Sequence, residues 1–351
     1  MNAVKTTRKA LTRRQALRIL AGGAGVGVAA VLGGELIAQR QARPIQETRL
    51  LMGTLVSLTL VGAEAHRARA AATALFDRMA ELEAIMSCFK VDSHVSILNR
   101  EGRVRAPSPA LSAVVQHALT ISALSGGAYD PTIKPLSDLY DNTWRTQRCL
   151  PTAAAITRAR TRVNYRNLIV TANELRFAQA GMGLTLNSIA KGYIVDIGVA
   201  TLKAHGFPNV LVDAGGDLMA AGTRARGQPW QVGIADPRAA SGAGVLTALG
   251  ITDGAISTSG DYQQAYTDDR SQHHILDPRT GYSPPELASV TVTAPNTALA
   301  DGLSTAVLAL GVADGLAMMR RFSGCEAYLV TKTRDVFHTP GFAQHASVPL
   351  D

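Results

Sequence analysis

The sequence predicts an α+β protein, with a mixed or antiparallel sheet core, flanking helices and a smaller helical part. Three observations carry this. Leu75, Met79, Leu82 and Met86 stand at i, i+4, i+7 and i+11, the apolar stripe of an amphipathic helix over residues 65–86. Short apolar runs alternate with turn residues, as at 167–177 and 327–337, which read as strand pairs. No GxGxxG follows a strand pattern, which disfavours a doubly wound dinucleotide fold.

With 351 residues, 46% hydrophobic and 18% charged, the chain can bury a substantial core, as one large domain or two closely joined lobes. The formal charge of +8 invites a nucleic-acid reading. Residues 1–42, however, hold seven of the 35 Lys and Arg and one of the 27 acids, so the remainder carries 28 bases against 26 acids. With aromatic residues at 5% and no dense basic run, a nucleic-acid partner is excluded.

The N-terminus is built as a leader. A basic start (Lys5, Arg8, Lys9) precedes Arg13-Arg14 and an apolar, glycine-rich run over 19–36, followed by small residues near Ala38 and Ala42. This looks like a twin-arginine signal peptide over residues 1–42, preceding a folded unit over 43–351 and implying periplasmic export; an uncleaved membrane anchor is the alternative. Cys88, Cys149 and Cys325 are odd in number and widely spaced, so neither a disulfide framework nor a thiolate metal site is expected. They read as buried small hydrophobes.

In chain order, residues 49–61 read as a strand pair or one long bent strand, interrupted at Met52-Gly53-Thr54. Helix 65–86 follows, then a segment containing Phe89, which as an isolated aromatic reads equally as core. A second helix spans 107–125 and stops at Gly126-Gly127, where glycines permit close backbone approach to a ligand. Residues 138–148 are polar and read as a surface excursion. A helix over 152–162 and a hairpin turning at 172–174 come next.

Residues 183–189 read as a strand delivering its end to a helix that runs to about His205. That arrangement is a sound anion site, because free N–H groups and the helix dipole both favour negative charge, and Lys191 adds to it. Strands are expected at 209–213, 230–235, 249–258 and 288–293, with residues 256–262 (ISTSGDY) forming a polar turn. In HHILDPRTG (273–281), Ile275 and Leu276 read as the buried end of a strand stopped by Asp277-Pro278. A helix over 299–310 sets Asp301 and Thr305 at i and i+4, able to reach one hard cation such as Mg²⁺ together, or simply to face solvent. A further helix over 314–322 and a strand pair over 327–337 close the chain.

MGT (52–54), GGAYDPT (126–132), NSIAKGYIVD (187–196), DAGGD (213–217), HHILDPRTG (273–281) and ADGLST (300–305) together resemble, in order, the motifs of the ApbE family of FAD:protein FMN transferases. The resemblance spans about residues 50–337. It implies an ApbE-like fold with FAD in a cleft, and Mg²⁺-dependent splitting of FAD, its substrate. FMN would be joined through its phosphate to a Thr or Ser hydroxyl of an acceptor protein, with AMP released.

Carried over residue by residue, the resemblance implies that Met52, Phe89, Ala128, Tyr129, Asp130, Thr185, Lys191 and Ile275 contact FAD. It implies that Ser188, Asp301 and Thr305 hold Mg²⁺ and that His274 and Lys191 are catalytic. An imidazole is a suitable base near neutral pH for an alcohol that is a poor nucleophile unaided. His274 rather than His273 immediately precedes Ile, as in the family. Ser259 and Asp261 are placed behind the site. Thr185 stands where most members have Asp, and Ser304 where some have a second Asp.

By analogy the acceptor is a membrane-bound redox subunit exposing a flavinylation Thr, and the leader is compatible with the NosX-like branch of the family. Two rival readings are an FAD pyrophosphatase using water as acceptor, and a non-catalytic periplasmic flavin-binding assembly factor for a respiratory complex. The latter would bind FAD without Mg²⁺ and release no AMP.

Overall fold

The computed structural model describes residues 4–6, 44–62, 64–224, 227–239 and 244–346. Its strands are β1 (Val4–Thr6), β2 (Ile45–Leu51), β3 (Thr54–Leu60), β4 (Arg103–Arg105), β5 (Leu168–Val170), β6 (Glu174–Phe177), β7 (Val210–Ala214), β8 (Leu218–Ala221), β9 (Trp230–Ala235), β10 (Val245–Ile251), β11 (Gly254–Gly260), β12 (Leu287–Ala294), β13 (Glu326–Thr331) and β14 (Val336–His338). Its helices are α1 (Ala65–Met86), α2 (His94–Glu101), α3 (Pro109–Leu124), α4 (Lys134–Gln147), α5 (Ala153–Arg160), α6 (Ala190–Ala204) and α7 (Thr297–Met319).

Nine strands form one sheet in the order β1-β14-β13-β12-β11-β8-β7-β3-β2. Every ladder in it is antiparallel, so the expected α+β class holds in its antiparallel form. Period-two alternation divides the central strands between two cores. On β7, Val210, Val212 and Ala214 point to the main core shared with α1, α6 and α7, while Leu211 points to the other face. On β13, Ala327 and Leu329 face the helices; Tyr328 and Val330 pack with Trp230 and Leu249 of the β9–β10 hairpin. Both faces are covered, which explains strands without polar alternation, such as β12 with all eight residues buried.

Helix α1 buries the expected stripe of Leu75, Met79, Leu82 and Met86. Among the described residues α7 alone is long and apolar enough to cross a membrane, but 72% of its apolar window is buried, as befits a core helix. It breaks at Gly311 (φ 81°), where Glu286 accepts from the Val312 amide, so the two helices expected there are one interrupted rod. The twin-arginine pair and the apolar run of the leader lie outside the described residues.

Several expectations are corrected. Of residues 138–148, all but the last, Arg148, belong to α4, because Leu136 and Tyr140 bury one face of an otherwise polar helix in a third core with Ile156, Tyr266 and Leu276. The strand expected over 249–258 is two strands with a turn between them. Of these, β10 pairs with β9 in a separate sheet, while β11 runs through most of the supposed polar turn at 256–262. Ile275 and Leu276 form no strand; only His273 makes an isolated bridge, to Ala265. Helix α2 was not anticipated, although Ser93 caps its first turn at Ser96 N and Gly102 (φ 74°) ends it. Of the cysteines, Cys325 alone is fully buried; Cys149 is exposed and Cys88 half-buried.

Candidate active site

The cleft lies between the helical part built on α4 and the central strands of the main sheet with α6 and α7, and six sequence motifs contribute to its assembly. Residues 183–186 reach it as irregular chain rather than as a strand. Their polar groups are satisfied elsewhere: Asn99 brackets Leu184, donating to its carbonyl at 2.8 Å and accepting from its amide at 2.6 Å, and Thr185 N donates to Pro131 O at 2.8 Å. The turn at 187–189 then opens α6.

Helices α6 and α7 lock together at this point. Asp196 of α6 accepts from the Thr297 and Ala298 amides at 2.7 and 2.9 Å, capping α7. Gly192 N donates to Asp301 Oδ2 at 3.3 Å. A Cβ at Gly192 would collide with the Thr297 carbonyl group and come within 2.8 Å of Ala298 N, so only glycine permits this approach. Asp301 is thereby carried, 5% exposed, to the start of α6.

Lys191 meets Asp217 Oδ2 at 2.5 Å. Asp217 follows the β7 turn, where Gly215 and Gly216 take positive φ (68° and 101°), and Ser257 also donates to its carboxylate. Asp213 accepts from Gly216 N at 2.8 Å in the same turn. A Cβ at Gly215 would strike Thr54, which ties this turn to the tip of the β2–β3 hairpin.

Three carboxylates around one ammonium set the charge of the cleft floor. Burial pushes Asp301 well above the ordinary carboxylate range, and the neighbouring Asp217 adds to the shift while Lys191 opposes it. Burial, with Asp217, lifts Asp213 to about 6. Burial works against the Lys191 ammonium, but Asp217 and Asp301 outweigh it and raise its pKa.

The hydroxyls are equally organised. Ser259 Oγ lies 2.8 Å from Ser304 Oγ and 3.0 Å from Thr305 Oγ1, and Ser304 donates to Asp301 O at 2.9 Å. Ser304 is fully buried and braces the two α7 groups from behind. Ser188 donates to Tyr129 OH at 3.2 Å. Among the described residues no three His, Cys, Asp or Glu side chains gather as a metal site. The Asp301 carboxylate with the Thr305 and Ser188 hydroxyls is instead a sparse, hard-oxygen donor set. It fits a cation such as Mg²⁺, which keeps waters and shares substrate phosphates.

His274 also lines the cleft, beside Ile275. Its N–H donates to Gln264 O at 3.0 Å, and its Nδ1 lies 3.1 Å from the same oxygen. A carbonyl only accepts, so Nδ1 carries the proton and Nε2 is left with its lone pair. Burial lowers the pKa of His274, with the Gln264 bond opposing. His273 is wholly buried and its pKa is lowered to about 4 by burial, so it faces no substrate space. Asp261 is buried behind the site, paired bidentately with Arg238 at 2.6 and 2.7 Å.

Of the residues singled out in sequence, Phe89, Ala128, Tyr129, Asp130, Thr185, Ser188, Lys191, His274, Ile275, Asp301 and Thr305 line this cleft. Met52 does not: it sits in the hairpin turn at φ 53° and packs against the main core. Phe89, 83% exposed at the cleft, is not a core aromatic. Asp130 commits its carboxylate to Thr132 and to Tyr165 N, so it shapes the loop as well as lining it. Sequence reasoning gave no role to Asp217, though it ends DAGGD, nor to Asp141, Gln264 and Tyr266, which belong to no recognised motif.

The ApbE family model matches residues 52–329. The chain is 31% identical over 334 residues to the FAD:protein FMN transferase of Treponema pallidum, covering 88% of this chain and 90% of the relative. It is 32% identical over 299 residues to that of Salmonella typhimurium, covering 82% and 84%. Among solved structures it resembles the flavin transferase ApbE from Vibrio cholerae, with a TM-score of 0.76 at 27% identity, covering 86% of this chain and 99% of that one. The apo flavinyl transferase ApbE from Pseudomonas stutzeri gives 0.77 at 29% identity, covering 89% and 99%.

Proposed function

The chain belongs to the ApbE family, and from that premise we propose that it is an FAD:protein FMN transferase. It splits FAD, joins FMN through a phosphoester to a Thr or Ser hydroxyl of an acceptor protein, and releases AMP. The observation that carries the reading is one cleft holding a base-form imidazole, His274, together with an ammonium, Lys191, and an oxygen donor set on α7 and Ser188.

The acceptor hydroxyl gives its proton to Nε2 of His274 as its oxygen bonds to the FMN phosphorus. The bond from that phosphorus to the bridging pyrophosphate oxygen breaks, and AMP leaves with the electron pair. Lys191 and the N-terminus of α6 lend positive charge where the leaving phosphate gathers negative charge. Asp301, Thr305 and Ser188 are the proposed Mg²⁺ ligands, and the ion when bound supplies Lewis-acid neutralisation of the pyrophosphate. Phe89, Ala128, Tyr129, Asp130, Thr185 and Ile275 are proposed to contact FAD. Thr185 brings a neutral hydroxyl to its position.

The leader supports export of the folded enzyme by the twin-arginine route to the periplasm, with an acceptor on a membrane redox subunit. The test is covalent mass gain on an acceptor domain in the presence of FAD and Mg²⁺, with His274→Ala as control. Transfer by His274→Ala at the wild-type rate would remove the base from this reading.

A further inference from the structure

The Asp141 carboxylate lines the cleft and has no part in the proposed mechanism. Asp141, on α4, accepts from the Tyr266 phenol at 2.6 Å and from Gln264 Nε2 at 3.3 Å, both through Oδ1. Gln264 is the residue whose main-chain oxygen meets both the amide and Nδ1 of His274. Tyr266 is held in turn: its ring centroid lies 5.6 Å from Tyr140 and 6.0 Å from Trp144, its amide donates to Gln272 O at 2.8 Å, and Ala265 bridges His273. Residues 264–266 therefore form a bracket between α4 and the histidine segment, packed on α4 through the Tyr266 ring and hydrogen-bonded to it through one oxygen atom of Asp141.

We infer that Asp141 is a positioning residue for His274, fixing through Gln264 and Tyr266 the carbonyl that sets the tautomer and plane of the imidazole. This rests on the reading of His274 as the base.

Neutral imidazole has two tautomers, and only the one protonated at Nδ1 leaves Nε2 able to take a proton. Gln264 is exposed and its segment lies outside the three sheets, joined to the histidine segment only by the isolated Ala265–His273 bridge and its flanking bonds, His274 N to Gln264 O and Tyr266 N to Gln272 O. Asp141 is itself exposed, whereas the packing between α4 and this segment is made by Leu136, Tyr140, Tyr266 and Leu276. Removing the carboxylate thus cuts the side-chain hydrogen bonds that fix the bracket to α4, without opening a core. The charged and titratable groups facing His274 are Asp141 from α4, Lys191 from α6, Asp261 beyond β11 and the adjacent His273. Asp141 and Asp261 favour the imidazolium and Lys191 opposes it.

The test compares the full chain with Asp141→Ala, Asp141→Asn, Tyr266→Phe and His274→Ala, using FAD, magnesium chloride and an acceptor domain bearing a flavinylation Thr. Asp141→Ala is expected to lower kcat about 10-fold, since small misplacements of a catalytic group carry such losses. KM for FAD should stay within about twofold, because the binding contacts remain. The acid limb of the kcat/KM profile should move to lower pH. Asp141→Asn, which keeps the accepting oxygen, should recover most of kcat but not the pH shift.

Independently of turnover, the ¹⁵N spectrum of His274 should show the Nδ1–H tautomer in the wild type and a tautomer mixture in Asp141→Ala. Tyr266→Phe, a milder cut in the same bracket, should give a smaller loss in the same direction and serves if Asp141→Ala does not fold. Wild-type kcat, acid limb and tautomer in Asp141→Ala, or in Tyr266→Phe where that variant stands in, would overturn the inference. Full transfer by His274→Ala would instead overturn the base assignment, leaving the tautomer measurement to judge the bracket by itself.

Discussion

Lys191 and Asp217 meet at 2.5 Å on the cleft floor, one at the start of α6 and the other after the β7 turn. Asp217 is nearly fully buried and Lys191 about three-quarters so, and Asp301 shares the same ammonium electrostatically. Lys191→Met strands buried carboxylate charge and should cost about 3 kcal/mol of stability, read by urea denaturation, since breaking a buried pair costs more than the pair contributes. Adding Asp217→Asn should restore much of that loss. FMN transfer should stay depressed in the double variant, which separates the lysine's chemical work from its structural pairing.

The base assignment makes a signed prediction. His274 must be neutral to accept a proton, and burial holds its pKa below the ordinary 6.5. Transfer should therefore persist to a lower pH than a free imidazole would allow, with an acid limb in kcat/KM below that value. His274→Ala should lower the rate at least about 100-fold and abolish that limb, while FAD binding, followed by flavin fluorescence, stays near the wild-type level.

Asp213 predicts a stability profile. Its folded-state pKa of about 6 lies above the ordinary 3.8, so its contribution is most favourable below 3.8 and is lost as pH rises through about 6. At neutral pH the ionised carboxylate costs about 3 kcal/mol at the upper end. Asp213→Asn keeps an acceptor for Gly216 N and should gain stability over the wild type progressively between pH 4 and 6, as thermal melts across that range would show.

The divalent site can be tested without turnover. Asp301→Asn removes the carboxylate of the proposed ligand set. Magnesium chloride should raise the melting temperature of the wild type by ligand linkage and leave that of Asp301→Asn unchanged. An equal rise in both would place the ion elsewhere.

Much of this architecture is legible in the chain because its signals are local. Leu75, Met79, Leu82 and Met86 announce α1 by period alone, and Trp230–Ala235 appears where its pattern puts it. The failures come from tertiary context. Asp138, Asn142 and Arg145 make α4 look like a loop, since its helical face is specified by the few apolar residues that meet Tyr266 and Leu276. Ile256–Gly260 hides a strand behind Ser, Thr and Gly because its hydroxyls serve Asp217, Ser304 and Thr305 across the core.

The site divides in the same way. Residues within motifs, such as His274 and Asp301, reach the cleft. Met52, in the first motif, instead packs on the core beside the Thr54–Gly215 contact. Asp141 and Gln264 reach the site only through the packing of α4, which no local pattern encodes.

The most direct test of the proposed activity follows two products at once. The chain is incubated with FAD, magnesium chloride and an acceptor domain carrying a flavinylation Thr, and covalent mass and free AMP are measured together. A mass gain equal to FMN with one AMP per modified acceptor is the expected result. AMP without modified acceptor would contradict it in favour of hydrolysis, and bound FAD with neither product would leave a flavin-binding protein rather than a transferase.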